Sequence, residues 1–221
     1  MPGPNWGEDS PADEKLIAAN VSVLLRDLHA SAVRRDTPTA GIAQQWHRAI
    51  YQGTASPPKP SYLGTFRGGA DPDLHDYQVY LVNPAGRILS SGTPPPEVAT
   101  EVAAFERALQ TAVARLDAVI PVGASPADSQ QLLAVVELAA VVHGEWIRIH
   151  PFANGNGRVA RTWANWVAQR YGLPPFVRIK PRPDALLYAQ AAHRSMGAPP
   201  APGPDHQLTV QVFLDLLRQV P

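Results

Sequence analysis

Apolar residues recur at intervals of three and four along most of the chain, which is the spacing of amphipathic helices. Ile17, Val21, Leu24 and Leu28, for example, fall on one face of a helix. The pattern predicts seven helices, with approximate bounds Ala12–Arg34, Thr39–Tyr51, Thr93–Leu116, Asp128–Ile149, Gly157–Tyr171, Asp184–Ser195 and Leu208–Gln219.

A different pattern separates the second and third predicted helices. The segment Ser56–Pro60 ends the second helix, because proline lacks an N–H donor and restricts the residue before it. Beyond it, Tyr77–Val82 and Arg87–Leu89, joined by the turn Asn83–Gly86, predict a small β-hairpin. The helix Asp128–Ile149 is apolar around much of its circumference and is expected in the core. We expect an all-α bundle with one hairpin.

Composition narrows the class of protein. The chain has 221 residues and 45% hydrophobic content, so we expect a single domain over 1–221, with a flexible tail over about 1–12. Lys and Arg together number 19, as do Asp and Glu, which predicts no nucleic-acid or membrane partner. The absence of cysteine excludes disulfides and thiolate metal sites. No signal peptide and no apolar run of membrane-spanning length were recognised, so a cytoplasmic location is expected.

The chemistry-bearing residues are concentrated in one segment, His150–Arg161, with the sequence HPFANGNGRVAR. Its glycines let backbone N–H groups approach an anion, and a helix beginning just after them adds unpaired amides and a positive dipole end. Arg158 and Arg161, three residues apart, are expected to project from one helix face toward that anion. His150 can take a proton from a nucleophile. The segment predicts a phosphate-handling active site.

This segment resembles the signature of the Fic family, HxFx(D/E)GNGRxxR, and departs from it at one defined position. Upstream, Gly64–Arg67 followed by the hairpin and Thr93–Pro96 resembles the flap region of the family, and His143–Ile149 resembles its lead-in helix. Downstream, Asp184–Ala191 resembles its next helix, so the similarity covers about Leu16–Leu217. The resemblance implies a Fic-like helical bundle with a β-hairpin flap and a central helix-loop-helix that carries the motif.

The resemblance implies transfer of AMP from ATP to a Ser, Thr or Tyr hydroxyl of a protein. In that reaction His150 would deprotonate the hydroxyl, Arg158 would neutralise the transferring region and Arg161 would grip the outermost phosphate. Phe152 would anchor the loop. Gly155, Asn156 and Gly157 would bind the phosphates through backbone amides, and the Asn156 side chain would also take part in catalysis. Tyr188 would lie at the adenine edge. A buried packing role for the Tyr188 ring stays open beside the adenine role.

The departure from the signature is Asn154, where the family has an acid that coordinates Mg²⁺. An amide oxygen can ligate Mg²⁺ but brings no negative charge, and Mg²⁺ prefers carboxylate and phosphate oxygens. We expect a weakened Mg²⁺ site at Asn154 and reduced, not abolished, transfer.

Two kinds of protein partner follow from the resemblance. The hairpin offers an exposed edge to an extended target segment, through Gln78, Val79, Tyr80 and Leu81. The inhibitory helix of many family members, with the pattern (S/T)xxxE(G/N), is not found, and the nearest string, Ser10–Glu14, does not fit it. Any restraint is therefore expected from a small antitoxin-like partner in trans or from the weak metal site.

Several alternatives stay open at this point. The site could transfer another nucleotide, phosphocholine or phosphate, or the chain could be a nucleotide-binding or toxin-antitoxin module that has lost activity. His143 is interpreted as a hydrogen-bonded structural residue, and Trp163 and Trp166 as core packing. The remaining histidines are interpreted as surface or cap residues: His29, His47, His75, His193 and His206.

Overall fold

The computed structural model describes residue 6 and residues 10–82, 85–184, 186–197 and 203–220. This part of the chain forms seven α-helices and one antiparallel two-stranded sheet: α1 Pro11–Val33, α2 Ala40–Ile50, β1 Tyr80–Val82, β2 Ile88–Ser91, α3 Val98–Asp117, α4 Ser129–Ile149, α5 Asn156–Arg170, α6 Leu186–Ser195 and α7 Gln207–Arg218. The predicted all-α bundle with one hairpin is confirmed. Asn83 and Pro84 of the predicted turn, and Ala185, lie outside the described residues.

The third helix begins later than predicted. A 3₁₀ turn over Pro95–Glu97 precedes it, and α3 begins at Val98. Thr93, the first residue of the predicted helix, lies before it and does not cap it, because Pro94 is extended and the consecutive prolines lack N–H donors for a side chain to cap. The carbonyl of Thr93 instead accepts a hydrogen bond from Arg67.

The centre of the bundle is the pair α4 and α5, joined by the motif loop. Nearly every side chain of α5 is buried, and α1, α2 and α4 pack around it. Trp163 and Trp166 are fully buried, and the ring of Trp163 lies 4.5 Å from that of Trp46 between centroids. The core role predicted for both tryptophans is confirmed.

The N-terminal part differs from its prediction in two respects. Within the described residues, α1 is long and apolar enough to cross a membrane by length and composition, a run that the sequence reading did not recognise. In the bundle, α1 packs against α2 and α5. The predicted flexible tail is too long, because Ser10 caps α1 by accepting from the Asp13 N–H at 3.1 Å and Trp6 is only 7% exposed. Residues 1–5 and 7–9 of that tail lie outside the described residues.

Arg67 connects the hairpin to the end of α4. Its guanidinium is 1% exposed and donates to four backbone carbonyls, those of Ile149, His150, Tyr77 and Thr93, at 2.7 to 3.2 Å. Burial lowers the pKa of Arg67 to about 10, so the side chain stays charged at neutral pH. A buried cation is tolerated only when its donors are satisfied, and a planar guanidinium reaches several acceptors at fixed angles. Arg67 therefore fixes the hairpin against the motif loop.

We predict that Arg67→Lys lowers the free energy of unfolding by about 3 kcal/mol, because an ammonium cannot reach these carbonyls together and leaves buried acceptors unpaired. Urea denaturation measures the change. The control is Arg107→Lys on α3, where the exposed side chain predicts a change below about 0.5 kcal/mol. Equal stability losses in the two variants would contradict this role of Arg67.

Candidate active site

The loop between α4 and α5 turns sharply at both ends. His150 follows the last residue of α4 in a left-handed conformation, with φ +53°, and Gly155 precedes α5 with φ +77°. A Cβ on Gly155 would lie 2.7 Å from the ring of Tyr51, so no side chain fits there. Glycine is thus required at position 155 for two reasons: the backbone has a positive φ, and there is no room for a side chain.

Asn156 folds this loop from within. Its Oδ1 accepts from the Phe152 N–H at 2.9 Å and its Nδ2 donates to the Phe152 carbonyl at 2.8 Å. The side chain is 1% exposed. Both ends of this amide close the loop, and the phosphate-binding, catalytic role expected for the Asn156 side chain stays a prediction. Its backbone N–H, at the start of α5, remains available to the predicted anion site.

Phe152 anchors the loop as predicted, and its partner was missed. The ring is fully buried and stacks on His47 of α2, with 4.1 Å between the centroids. The Nδ1 atom of His47 accepts from the Gly64 N–H at 2.9 Å, so Nε2 carries the proton and donates to the Asn154 carbonyl at 3.1 Å. The prediction of a surface or cap role for His47 is wrong. The signal was its place on the apolar face of α2, four residues after Ala43.

His150 has the tautomer of a proton acceptor. Its Nδ1 lies 3.1 Å from the Ile147 carbonyl, which can only accept, so Nδ1 carries the proton and Nε2 has a free lone pair. Burial and the nearby charge of Arg67 lower the pKa of His150 to about 4, which keeps the ring neutral at physiological pH. The side chain is half-buried and lines a cavity.

This cavity has a volume of about 350 Å³ and lies between the hairpin, the loop and α6. Five predicted site residues line it: Leu81, His150, Gly157, Arg161 and Tyr188. Other lining residues that bear charge or can take one are Arg182, Asp184 and His193. A helix N-terminus and an arginine in one cavity make it suited to an anionic ligand.

A hydrogen-bond network holds Arg161 at the cavity wall. Its Nε and Nη2 atoms donate to the Ile179 carbonyl at 3.2 and 2.9 Å, and Nη1 donates to the Tyr188 hydroxyl at 3.0 Å. The Tyr188 hydroxyl is also hydrogen-bonded to Nε2 of His143 at 2.9 Å. The structural role predicted for His143 is confirmed. Tyr188 lines the cavity, but its side chain is buried and its hydroxyl is part of this hydrogen-bond network.

Arg158 does not line the cavity with Arg161. It is half-buried, and its guanidinium lies 5.2 Å from the ring centroid of Tyr51, whose hydroxyl accepts from Nη1. The expectation that both arginines share one face is therefore wrong in this conformation. Residues three apart on a helix differ in direction by about 60°, and here the two point to different sides of the loop.

The predicted weakened Mg²⁺ site at Asn154 stays a prediction, and the Asn154 amide is engaged in two hydrogen bonds. The Oδ1 atom of Asn154 accepts from the Gly155 N–H at 2.6 Å, and Nδ2 donates to the Trp6 carbonyl at 3.2 Å. No group of three or more His, Asp or Glu side chains that could hold a metal occurs among the described residues. A hard dication prefers charged oxygens, and this amide is engaged elsewhere.

The hairpin covers one side of the cavity. Leu81, paired with Ser90, lines the cavity, whereas Tyr80, paired with Ser91, is 51% exposed. Gln78 and Val79, also predicted for target docking, precede β1. Within the described part of the chain β1 pairs with β2 alone, so its other edge is unpaired.

Comparison with known proteins gives one family and several relatives. The model of the Fic/DOC family matches residues 37–168. A protein adenylyltransferase Fic of Nematostella vectensis is 39% identical over 64 residues, which are 28% of this chain and 15% of that protein. A uridine 5'-monophosphate transferase of Xanthomonas campestris pv. campestris is 43% identical over 49 residues, which are 22% of this chain and 9% of that protein. The chain thus spans a small part of these relatives.

Solved structures share the fold. A Fic domain containing signaling protein from Bacteroides thetaiotaomicron superposes with a TM-score of 0.65 at 22% identity, over 96% of this chain and 72% of that one. Fic-1 of C. elegans superposes with a TM-score of 0.58 at 22% identity, over 90% of this chain and 47% of that one. The Fic-like bundle expected from the sequence is confirmed.

The buried histidines predict how stability depends on pH. Burial lowers the pKa of His47 and His150 to about 4 and that of His143 to about 3, against 6.5 in an unfolded chain. The unfolded state then binds more protons between pH 6.5 and 4, so stability falls as pH falls through this window. Each histidine contributes up to about 1.4 kcal/mol per pH unit.

Urea denaturation at pH 7.5, 6 and 5 measures this slope. We expect His143→Gln to reduce the dependence of the free energy of unfolding on pH by about the contribution of one histidine. This holds whatever the effect of the substitution on stability at pH 7.5. The control is His75→Gln, because His75 is exposed. A profile that is flat between pH 7.5 and 5 in the unmodified protein would contradict the prediction.

Proposed function

Because this chain belongs to the Fic/DOC family, we propose that it transfers AMP from ATP to a Ser, Thr or Tyr hydroxyl of a protein. The observation that carries the proposal is the state of His150, a neutral imidazole with an unprotonated Nε2, which lines a cavity together with Arg161 and the start of α5. The curated relatives named protein adenylyltransferases support AMP as the transferred group.

In the proposed reaction, the target hydroxyl oxygen attacks the α-phosphorus of ATP. The bond from that phosphorus to the oxygen bridging the β-phosphate breaks, and pyrophosphate leaves. The hydroxyl proton passes to Nε2 of His150, which the Ile147 carbonyl holds in the required tautomer. Arg161 and the first amides of α5 hold the phosphates, and their negative charge raises the pKa of His150 from its value of about 4.

No step of the proposed reaction is assigned to a metal ion held by the side chains of this loop. Asn154 occupies the position of the family's metal-binding acid, but its amide bonds to Gly155 and Trp6. In the proposed reaction, charge neutralisation therefore depends on Arg161 and on Arg158. Arg158 must turn from Tyr51 to reach a triphosphate, which costs it the hydrogen bond to that hydroxyl.

A uridine nucleotide is the second candidate donor. The relative from Xanthomonas campestris is named a uridine 5'-monophosphate transferase and matches at 43% identity over 49 residues. Both donors share the α-phosphorus chemistry, so they differ only in the base that the cavity accepts. The target segment is proposed to pair with the free edge of β1, where Tyr80 is exposed and Leu81 faces the cavity.

We predict that the protein adds label to proteins of a lysate from ATP labelled at the α-phosphate, and adds none from γ-labelled ATP over the lysate alone. His150→Ala should lower labelling at least about 100-fold, because it removes the base. The control is His75→Ala, since His75 is exposed and does not line the cavity. α-Labelled UTP in a parallel reaction identifies the donor. Label from the γ-phosphate, or full labelling by His150→Ala, would contradict the proposal.

We predict that Asn154→Asp raises α-labelling about 10-fold at limiting Mg²⁺, because a carboxylate adds a charged ligand for the ion. Rates are measured across a Mg²⁺ titration, where the variant should saturate at a lower concentration. Asn154→Gln, which keeps the amide, serves as control and should show no gain. Equal Mg²⁺ dependence in Asn154→Asp and the unmodified protein would refute this account of the position.

A further inference from the structure

Gly92, the residue that follows β2, lies directly against the side chain of His150. Gly92 is buried, and a Cβ built on it would lie 2.9 Å from the Cβ of His150, 3.3 Å from Nη2 of Arg67 and 3.5 Å from the Ile149 carbonyl oxygen. Carbon atoms that are not bonded to each other pack best about 3.5 to 4.0 Å apart. No side chain therefore fits between the hairpin and His150 at this point.

Glycine is required at position 92 by space and not by backbone conformation. Gly92 is not one of the described glycines with a positive φ, so another residue could adopt its backbone angles without strain. Gly69 also lacks a positive φ, but a Cβ built there would meet only the Phe66 carbonyl oxygen, at 3.5 Å. The two glycines thus differ in whether the site has room for a methyl group.

Hydrogen bonds fix the backbone on both sides of this contact. The His150 N–H donates to the Trp146 carbonyl at 3.0 Å, and the His150 carbonyl accepts from Nε of Arg67 at 2.8 Å. The Gly92 N–H donates to the Val79 carbonyl at 3.0 Å. Since neither backbone is free to move away, a side chain at position 92 has to displace the His150 side chain or detach the hairpin.

We propose that Gly92 is a positioning residue, which leaves the room that the His150 imidazole needs to keep its hydrogen bond to the Ile147 carbonyl and its place in the cavity wall. The inference rests on the proposed function, in which His150 is the base. The hairpin then serves the reaction twice. Its β1 edge is proposed to pair with the target, and the residue after β2 sets the position of the base that receives the target's proton.

The first test compares Gly92→Ala with its matched control, Gly69→Ala, by the rate at which each labels lysate proteins across a range of α-labelled ATP concentrations. Gly92→Ala should lower the rate at saturating ATP about 10-fold or more, because the base leaves its reacting geometry. The ATP concentration for half-maximal rate should change less than about twofold, since Gly92 does not line the cavity. Gly69→Ala should keep both quantities within about twofold.

The second test does not depend on activity. Burial and Arg67 lower the pKa of His150 to about 4, and an imidazole displaced from this position regains water, so its pKa should rise toward 6.5. NMR of the histidine rings between pH 7.5 and 5 should show His150 taking up a proton in Gly92→Ala and staying neutral in the unmodified protein. His47 and His143 are internal controls and should stay neutral in both.

A stability cycle tests whether the substitution acts through the His150 side chain. Urea denaturation should show that Gly92→Ala lowers the free energy of unfolding. In a His150→Gly background the same substitution should cost less than about half as much, because the Cβ that it meets is gone.

The outcomes separate the inference from the proposed function. The inference alone fails if the unmodified protein adds label and Gly92→Ala adds it at the same rate. It also fails if His150 titrates alike in both proteins, or if all three histidines titrate in Gly92→Ala, which would show general loss of the fold. If the unmodified protein adds no label, the proposed function fails and the inference fails with it.

Discussion

The structure depends on one buried cation. Arg67 reaches four carbonyls from three parts of the chain, namely the end of α4, the segment before β1 and the segment after β2. Two of these carbonyls belong to Ile149 and His150, so the same guanidinium that holds the hairpin also fixes the backbone of the proposed base. Its charge lies near the imidazole and helps to keep the ring neutral. Burial is the main reason that the pKa of His150 is lowered, and Arg67 adds to it while also fixing the backbone of His150.

The loop itself shows how few side chains are left for chemistry. Asn156 and Phe152 close it from within, His47 supports it from α2, and Asn154 bonds to Gly155 and to the Trp6 carbonyl. The groups that remain at the cavity are the His150 imidazole, backbone at the start of α5 and the Arg161 guanidinium. Most of the polar atoms in the motif therefore serve to hold the loop in place. This is expected for a reaction whose rate enhancement comes mainly from positioning and charge neutralisation.

Helix periodicity predicted all seven described helices, because apolar residues recur at helical spacing in each, and the motif located the loop. The predictions failed where the decisive contact joins distant segments. Nothing local marks Arg67 as a ligand of four carbonyls, or Trp6 as a neighbour of Asn154. Arg158 was misplaced for a related reason, since spacing along a helix gives a direction but not the partner that competes for the side chain. The burial of His47, in contrast, is predictable, because the residue lies on the apolar face of α2.

The way in which Arg67 holds the hairpin has an evolutionary consequence. Its contacts are to backbone carbonyls, which every residue supplies, so the residues along β1 can be exchanged without loosening the attachment. α5, in contrast, is buried on almost every side, and a substitution there disturbs the packing of several helices at once. In the proposed function, a fold divided in this way can acquire new protein targets by substitutions in the hairpin while its chemistry stays constant. Related chains are then expected to diverge in target before they diverge in reaction.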